Sequence, residues 1–338
     1  MLRKIIVCTV LTFLSWSLCA QSGDNVYQFL NVPVSVSASG IGGNSVSSVE
    51  KDLNLTFHNP AILSTEMNND VEVGYMRYMA DINVGSAAYA HKINDRSMWM
   101  AGVRYVDYGS MLWTTAEDIV LGNTYAQDLA LTGTYSWMLS ENWRAGGNVS
   151  AIYSVLDEYT SAAIAVDLGV YYNNSAQLLS AGFVIKNIGS QIVSYDETYE
   201  KMPWDVQFGI TKKLAHAPFR FTLTAQDLTS SRLSYLAEKE ETTSANSSNS
   251  DSFLGNVFKH VLLGVEFVPS DNFLVSVGYN YRRVSELEIN QRTSFGGFTA
   301  GFAMRVKNMR VGASYAKYHV AGSSLQMTLG MNMSKLGL

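Results

Sequence analysis

The sequence predicts an all-β protein: a transmembrane antiparallel β-barrel of about fourteen strands, preceded by an N-terminal plug segment. Three observations carry that prediction. The chain opens on an export leader, and long stretches alternate apolar and polar residues at period two. Its interstrand connections also sort into tight and long classes that take turns along the chain.

The leader comes first. Arg3 and Lys4 form a short basic start, Ile5 to Leu18 is an apolar stretch diluted by Thr9, Thr12, Ser15 and Ser17, and Ala20 offers a small residue before Gln21. This is the order of a secretory signal peptide over residues 1–20, with an apolar part too short to stay as a transmembrane helix. A lipoprotein cut before Cys19 is the rival, but Leu18 occupies a position where a small residue is wanted, so we place cleavage after Ala20. Both cysteines, Cys8 and Cys19, fall inside the leader. The exported chain then has no disulfide to hold it and no thiolate for metal or nucleophilic work.

Composition narrows the class. Removing the leader, with Arg3 and Lys4, from 24 basic and 29 acidic residues leaves a net charge of −7, opposite to what nucleic-acid phosphates demand. Aromatics reach 12%, yet after Ala20 no apolar run approaches the roughly 20 residues of a membrane helix. Many aromatics without long apolar runs point to strands.

Residues 21–70 do not alternate cleanly. They hold Tyr27-Gln28-Phe29-Leu30-Asn31-Val32-Pro33, then Gly40-Ile41-Gly42-Gly43, and then the turn Asn59-Pro60-Ala61. The residue before a proline is pushed out of the helical region, which marks Asn59 as a turn. The stretch is expected to enter from the periplasmic side and to be long enough to fold up into the lumen as a plug. The glycine cluster lacks the GxGxxG spacing of a nucleotide site.

Residues 71–338 are read as the barrel, with strands near 71–78, 82–92, 97–106, 124–138, 142–155, 159–173, 177–187, 204–213, 218–226, 257–267, 272–283, 294–305, 308–317 and 323–333. In 272–283, Phe273, Val275, Val277, Tyr279 and Tyr281 oppose Ser276, Gly278, Asn280 and Arg282. In 323–333, Leu325, Met327, Leu329, Met331 and Met333 oppose Gln326, Thr328, Gly330 and Asn332. Most of these strands have the ~9–11 residues that a tilted membrane strand requires, against about 5–6 in soluble sheets.

Tight connections fall at Asn94-Asp95, Ser140-Glu141, Asn174-Ser175, Ala215-His216, Ser270-Asp271 and Lys307-Asn308, whereas 107–123, 188–203, 227–256 and 284–293 are long. Outer-membrane barrels keep short turns on the periplasmic rim and long loops outside, and hydrocarbon forces the strands into a ring without a free edge. Aromatics near strand ends, Trp99, Tyr135, Trp137, Trp143 and Tyr153 among them, suit interface girdles. Glycines within strands, such as Gly102, Gly146, Gly182, Gly209, Gly278 and Gly301, allow bending or close approach within the wall. The loop 227–256 carries Glu238-Lys239-Glu240-Glu241 and a Ser/Thr/Asn-rich tract from Thr242 to Ser252, which reads as a solvated insertion.

The search for chemistry finds no catalytic, cofactor or metal grouping. His58, His91, His216, His260 and His319 are scattered without ligand spacing. Inward Arg104, Arg144, Asp167, Lys186, Arg220, Arg282, Arg305 and Arg310 read best as a paired network that fills the interior, with a pore or ligand site as the alternative.

The segment Tyr27-x-Phe29-Leu30-Asn31-Val32-Pro33, the Gly40–Gly43 cluster and the Asn59-Pro60-Ala61 turn before a many-stranded barrel resemble the PorQ family, in the PorV/PorQ branch of FadL-like outer-membrane barrels of Bacteroidota. The chain departs from that pattern after Pro33, where Ser35, Ser37, Ala38 and Ser39 stand in place of an Arg. The resemblance implies a non-enzymatic component of the type IX secretion system. Such a barrel anchors a PorZ-like surface protein within a cargo-attachment complex that also contains PorU and PorV. On that reading contacts fall on the long-loop rim, and Met111, Leu112 and Trp113 are the first candidates, because apolar and aromatic loop residues make interface hot spots; the competing view rests them on lipid headgroups. The alternative function is a FadL-like transporter of hydrophobic compounds, and the only partner shared by both is outer-membrane lipid.

Overall fold

The computed structural model describes residues 25–114, 120–196, 198–229, 257–286, 296–317 and 322–336. The leader at 1–20 and the Glu238–Ser252 tract lie outside the described residues.

Fourteen antiparallel strands close on themselves, each paired to its sequence neighbours, with the first paired to the last. They are β1 (Asp70–Arg77), β2 (Asn83–Asn94), β3 (Ser97–Thr114), β4 (Val120–Met138), β5 (Trp143–Leu156), β6 (Tyr159–Asn174) and β7 (Leu179–Val193). The second half comprises β8 (Asp205–Lys213), β9 (Phe219–Ala225), β10 (Val261–Ser270), β11 (Phe273–Asn280), β12 (Phe298–Val306), β13 (Met309–Lys317) and β14 (Ser323–Asn332). Within the ring every strand is paired on both sides, the condition for spanning hydrocarbon with strands.

Burial alternates along the strands as the period-two pattern requires. On β9 Phe219, Phe221 and Leu223 are exposed, and Arg220, Thr222 and Thr224 are buried; on β14 Leu325, Met327 and Leu329 are exposed, and Ser324, Gln326 and Thr328 are buried. The wall is therefore apolar outside and mainly polar inside. Trp99, Tyr135, Trp137, Trp143 and Tyr153 all face outward, where amphipathic rings suit the membrane interface.

Several strand ends differ from the expected ones; the strand placed at 257–267 begins only at Val261, because 257–259 forms a helical turn. The stretch 107–123 is expected as a loop, but β3 runs into it to Thr114 and β4 begins within it at Val120, as a two-stranded ribbon pairing Met111 with Thr124 and Leu112 with Asn123. A bulge separates the ribbon from the wall: Gly109 adopts φ +72°, and its N–H donates to the Asp107 carboxylate at 3.0 Å. Similarly, β7 runs on to Val193 past Asn187 at φ 55°. Tyr281–Glu286 extends no strand; it forms a short helix, α2, begun by Asn280, whose side-chain oxygen accepts from the Arg283 N–H.

The described N-terminal residues 25–69 lie inside the ring. They include a 3-10 turn at Gln28–Asn31, a short helix α1 (Val36–Gly40), and 3-10 turns at Leu53–Phe57 and Pro60–Ile62. Their caps are legible: Ser35, Asp52 and Asn59 each accept a hydrogen bond from the backbone N–H two or three residues on. The expected entry from the periplasmic side describes only one end. The first described residues pair with the connection after β7 at the long-loop rim, where the Val26 N–H donates to the Lys201 carbonyl at 3.0 Å.

Candidate functional site

Two surfaces stand out, the filled lumen and the long-loop rim. The lumen is built for close contact between the N-terminal segment and the wall. At several of the closest approaches of segment to wall the inward residue of the strand is glycine. A Cβ on Gly146 of β5 would sit 2.6 Å from the Pro60 carbonyl carbon and 2.7 Å from the Ala61 nitrogen. On Gly169 it would strike the Asn59 side chain, on Gly182 the Val46 carbonyl, on Gly264 Ile41, and on Gly278 the Ile41–Gly42 backbone. Gly42 itself needs its glycine, since φ is +110° there.

Asn59, Pro60 and Ala61 are buried against this cradle. The Asn59 amide donates to the Val46 carbonyl at 2.8 Å, and its oxygen accepts from the Ala61 N–H at 3.0 Å. One side chain thus ties two passes of the segment together.

Charge fixes the segment near the periplasmic mouth. Arg220 of β9, buried, meets Glu266 of β10 with Nε–Oε2 at 2.5 Å and Nη2–Oε1 at 2.8 Å, and reaches Glu50 of the segment at 2.7 Å. Arg310 of β13 lies 3.3 Å from Asp52 and 3.7 Å from Glu72 of β1, and donates to the Ser37 hydroxyl at 2.7 Å. Glu72 in turn accepts from the Leu53 N–H at 2.9 Å and the Asn54 amide at 3.0 Å. Buried charges are tolerated only with such partners.

The other inward residues are distributed around the wall. Arg104 donates to the Leu30 carbonyl at 3.0 Å and lies over the Phe57 ring; Arg144 lies over Tyr171. Asp167 accepts from Asn148 and from the Asn187 N–H, and Arg282 pairs with Asp227 at 2.6 Å. Lys186 is buried, while Arg305 lines a cleft of about 340 Å³ at the periplasmic mouth with Lys51, Lys213 and Arg310. The acidic partners Glu50, Asp52, Glu72 and Glu266 escaped the sequence reading. Glu72 and Glu266 carried a signal, since each sits on the inward phase of an alternating strand. Among the described residues no group of three His, Cys, Asp or Glu side chains converges as a metal site.

The upper lumen is different in kind. Tyr27, Phe29, Leu30 and Val34 join a buried cluster with Val84, Val106, Ala130, Ile152, Ala163 and Ala165, an apolar inner patch on β2 to β6. Above it, the Tyr27 hydroxyl bonds Ser161 at 2.5 Å, and Tyr195 of the β7–β8 connection bonds Ser154 at 2.5 Å. Burial pushes the Tyr195 phenol up to about 12.

At the rim, Met111 and Leu112 stand on the β3–β4 ribbon beyond the bulge, 38% and 68% exposed, with Val120 and Tyr125 exposed on the partner strand. The Trp113 side chain lies outside the described residues, although its backbone pairs with Gly122. Neither edge of the ribbon is covered by the wall, because β2 pairs with β3 only as far as Asp107 and β5 with β4 only as far as Ala126.

No protein-family model matches the chain, and no curated protein matches its sequence. Solved structures match its fold. The Pseudomonas putida toluene transporter TodX superposes with a TM-score of 0.53 at 11% identity, over 87% of this chain and 95% of that one. A TodX deletion mutant described as a monoaromatic hydrocarbon channel gives 0.54 at 12% identity, over 88% and 98%. A FadL homologue from Pseudomonas aeruginosa gives 0.51 at 10% identity, over 88% and 98%. The chain is thus an outer-membrane β-barrel of FadL-like fold. At such identities the match speaks to fold alone.

Proposed function

We propose that this barrel is a non-enzymatic anchor of the type IX secretion system, holding a PorZ-like surface protein of the cargo-attachment complex, with PorU and PorV, at its long-loop rim. One observation supports this most: the lumen is occupied by a segment seated on inward glycines and joined to the wall by buried ion pairs. A passage so filled leaves the outer wall to hold lipid and the rim to hold a partner. Met111 and Leu112 on the uncovered ribbon are the contact residues of choice, since apolar side chains outside the membrane band are used by binding. Gentle solubilisation from native membranes is expected to recover the barrel with a surface protein, and Leu112→Asp to lose that protein while the barrel still folds. Recovery of the barrel alone, with cargo attachment normal in a deletion strain, would refute the proposal.

A second reading, a transporter of hydrophobic compounds, is favoured by the fold shared with TodX and by the apolar inner patch around Ala130, Ala163 and Ala165. It requires the N-terminal segment to move aside. Uptake of a monoaromatic hydrocarbon that depends on this chain, and is unchanged by Leu112→Asp, would favour it over the anchor.

A further inference from the structure

The two ends of the lumen segment meet opposite rims. At its start, Val26 bonds Lys201 in the β7–β8 connection, and Tyr27 bonds Ser161, just past the turn joining β5 to β6. Gln191 of outer β7 donates to that same Ser161 hydroxyl at 3.2 Å and accepts from the Glu200 N–H at 2.7 Å, so the seat is continuous. All of these wall groups belong to the long-loop rim. At the far end, the Asn68 carbonyl accepts from Asn332 at 2.8 Å, the Asn69 carbonyl accepts from the Met333 N–H at 2.8 Å, and the Asn68 side chain accepts from the Lys92 N–H at 2.8 Å. Those partners lie where β14 ends and β2 approaches its tight turn. Between the two, Asp52 and Glu50 hold the segment to Arg310 and Arg220 near the same mouth.

We infer that the N-terminal segment is a strap through the barrel, whose first turn, Asn25–Asn31, is part of the cell's outer surface and whose last residues are fixed at the periplasmic rim. A segment that only blocked the lumen from below would have no reason to reach the β7–β8 connection. The exposure pattern agrees: Tyr27, Phe29 and Leu30 of the turn are buried in the apolar patch, while Gln28 and Asn31 are exposed at the outer end, and Val49 and Lys51 are exposed at the inner mouth. The polar residues of the turn join Lys201 and Tyr199, also exposed, to form one continuous outer face. Anything that grips this face touches the strap as well as the wall, and one covalent chain leads from that contact to the Arg220 and Arg310 clusters. The inference does not depend on the proposed function, since an anchor and a channel would both have such a strap.

Site-directed labelling of the full-length protein in its native outer membrane tests it. The sequence has only Cys8 and Cys19, both within the leader, so single-cysteine variants have no background thiol once the leader is removed. Gln28→Cys is expected to react with a membrane-impermeant maleimide on intact cells as fully as after permeabilisation. Lys51→Cys is expected to react only after permeabilisation. Both positions are exposed, and a heat-modifiable band on a denaturing gel verifies that each variant is folded. A folded Gln28→Cys that stays unlabelled on intact cells overturns the inference, as does a Lys51→Cys that labels from outside. As an independent measurement, Asn25→Cys with Lys201→Cys, at the parallel bridge between the segment and the β7–β8 connection, is expected to form a disulfide on oxidation; two free thiols in a folded barrel would remove the outer seat.

Discussion

The glycine cradle makes a comparison possible between two adjacent strands. Gly146 on β5 faces the segment, and alanine there would place its Cβ 2.6 Å from the Pro60 carbonyl carbon and 2.7 Å from the Ala61 nitrogen. Both are backbone atoms in a turn held by Asn59, so no rotamer change relieves the contact. Overpacking of this kind typically costs about 1–3 kcal/mol. Gly133 on β4 has nothing within 4 Å of its would-be Cβ. Alanine there is expected to stabilise by about 0.4–1 kcal/mol, through the reduced freedom of the unfolded chain. The two changes are chemically identical and differ only in what the Cβ meets. Denaturant unfolding in detergent, read by the gel shift of the folded barrel and by tryptophan fluorescence, should move the Gly146→Ala midpoint down and the Gly133→Ala midpoint level or up. If both midpoints move together, the segment is not packed on the wall and does not fill the lumen.

Side-chain contacts should behave differently from backbone ones. Gly102→Ala meets the Phe57 ring edge at 2.5 Å, so Phe57→Leu is expected to recover part of its loss, and a double-mutant cycle with no coupling would contradict that contact. Glu266→Gln leaves the buried Arg220 with one partner and is expected to cost about 3–5 kcal/mol, the usual penalty for breaking a buried pair. Glu50→Gln should cost less, because Glu50 is 21% exposed at the mouth; equal midpoints for the two variants would refute that ranking. Asn59→Ala removes the bonds to Val46 and Ala61 and should destabilise by roughly 1–3 kcal/mol, the cost of leaving buried groups unpaired, with a wild-type midpoint as the refuting result.

Much of the wall was legible because its determinants are local. Outward Phe219, Phe221 and Leu223 against inward Arg220, Thr222 and Thr224 express a period that any fourteen-strand count can use. The β3–β4 ribbon beyond Asp107 was not legible. Asp107-Tyr108-Gly109 reads as the start of a loop, and only the pairing of Met111 with Thr124 across the bulge reveals that the strand resumes. The direction of the lumen segment was hidden for a related reason: Tyr27 and Ser161 are bonded across 134 residues of sequence, and no local pattern connects them. The partners of Arg220 and Arg310 fall between these cases. Glu266 sits between outward Val265 and Phe267, a position where a charge is costly unless it faces in and is paired. Asp52 and Glu50 belong to the segment that lacks any period.

That distribution bears on which part of the molecule carries function. A lumen meant only to be blocked could be filled by any compact polar segment, yet this one is matched in two different ways. Toward the periplasm buried ion pairs at Arg220 and Arg310 and backbone seated on Gly146 and Gly182 add to apolar packing of Ile62, Leu63 and Met67 in one cluster with Met98 and Met100. Toward the outside Phe29 and Leu30 pack on an apolar patch with Ala130, Ala163 and Ala165, and the turn is tied by hydrogen bonds from Arg104 to the Leu30 carbonyl, from Asn187 to Asn31, and at Tyr27 and Val26. Breaking the lower half means separating buried ions, whereas the upper half releases a turn held by side-chain packing and a few hydrogen bonds. Local opening follows the weaker connections, so the outer turn is the part of the strap that a surface ligand or partner can move without dismantling the barrel. The anchor and the channel readings therefore diverge at Phe29 and Leu30: an anchor needs them seated, and a channel needs them displaced.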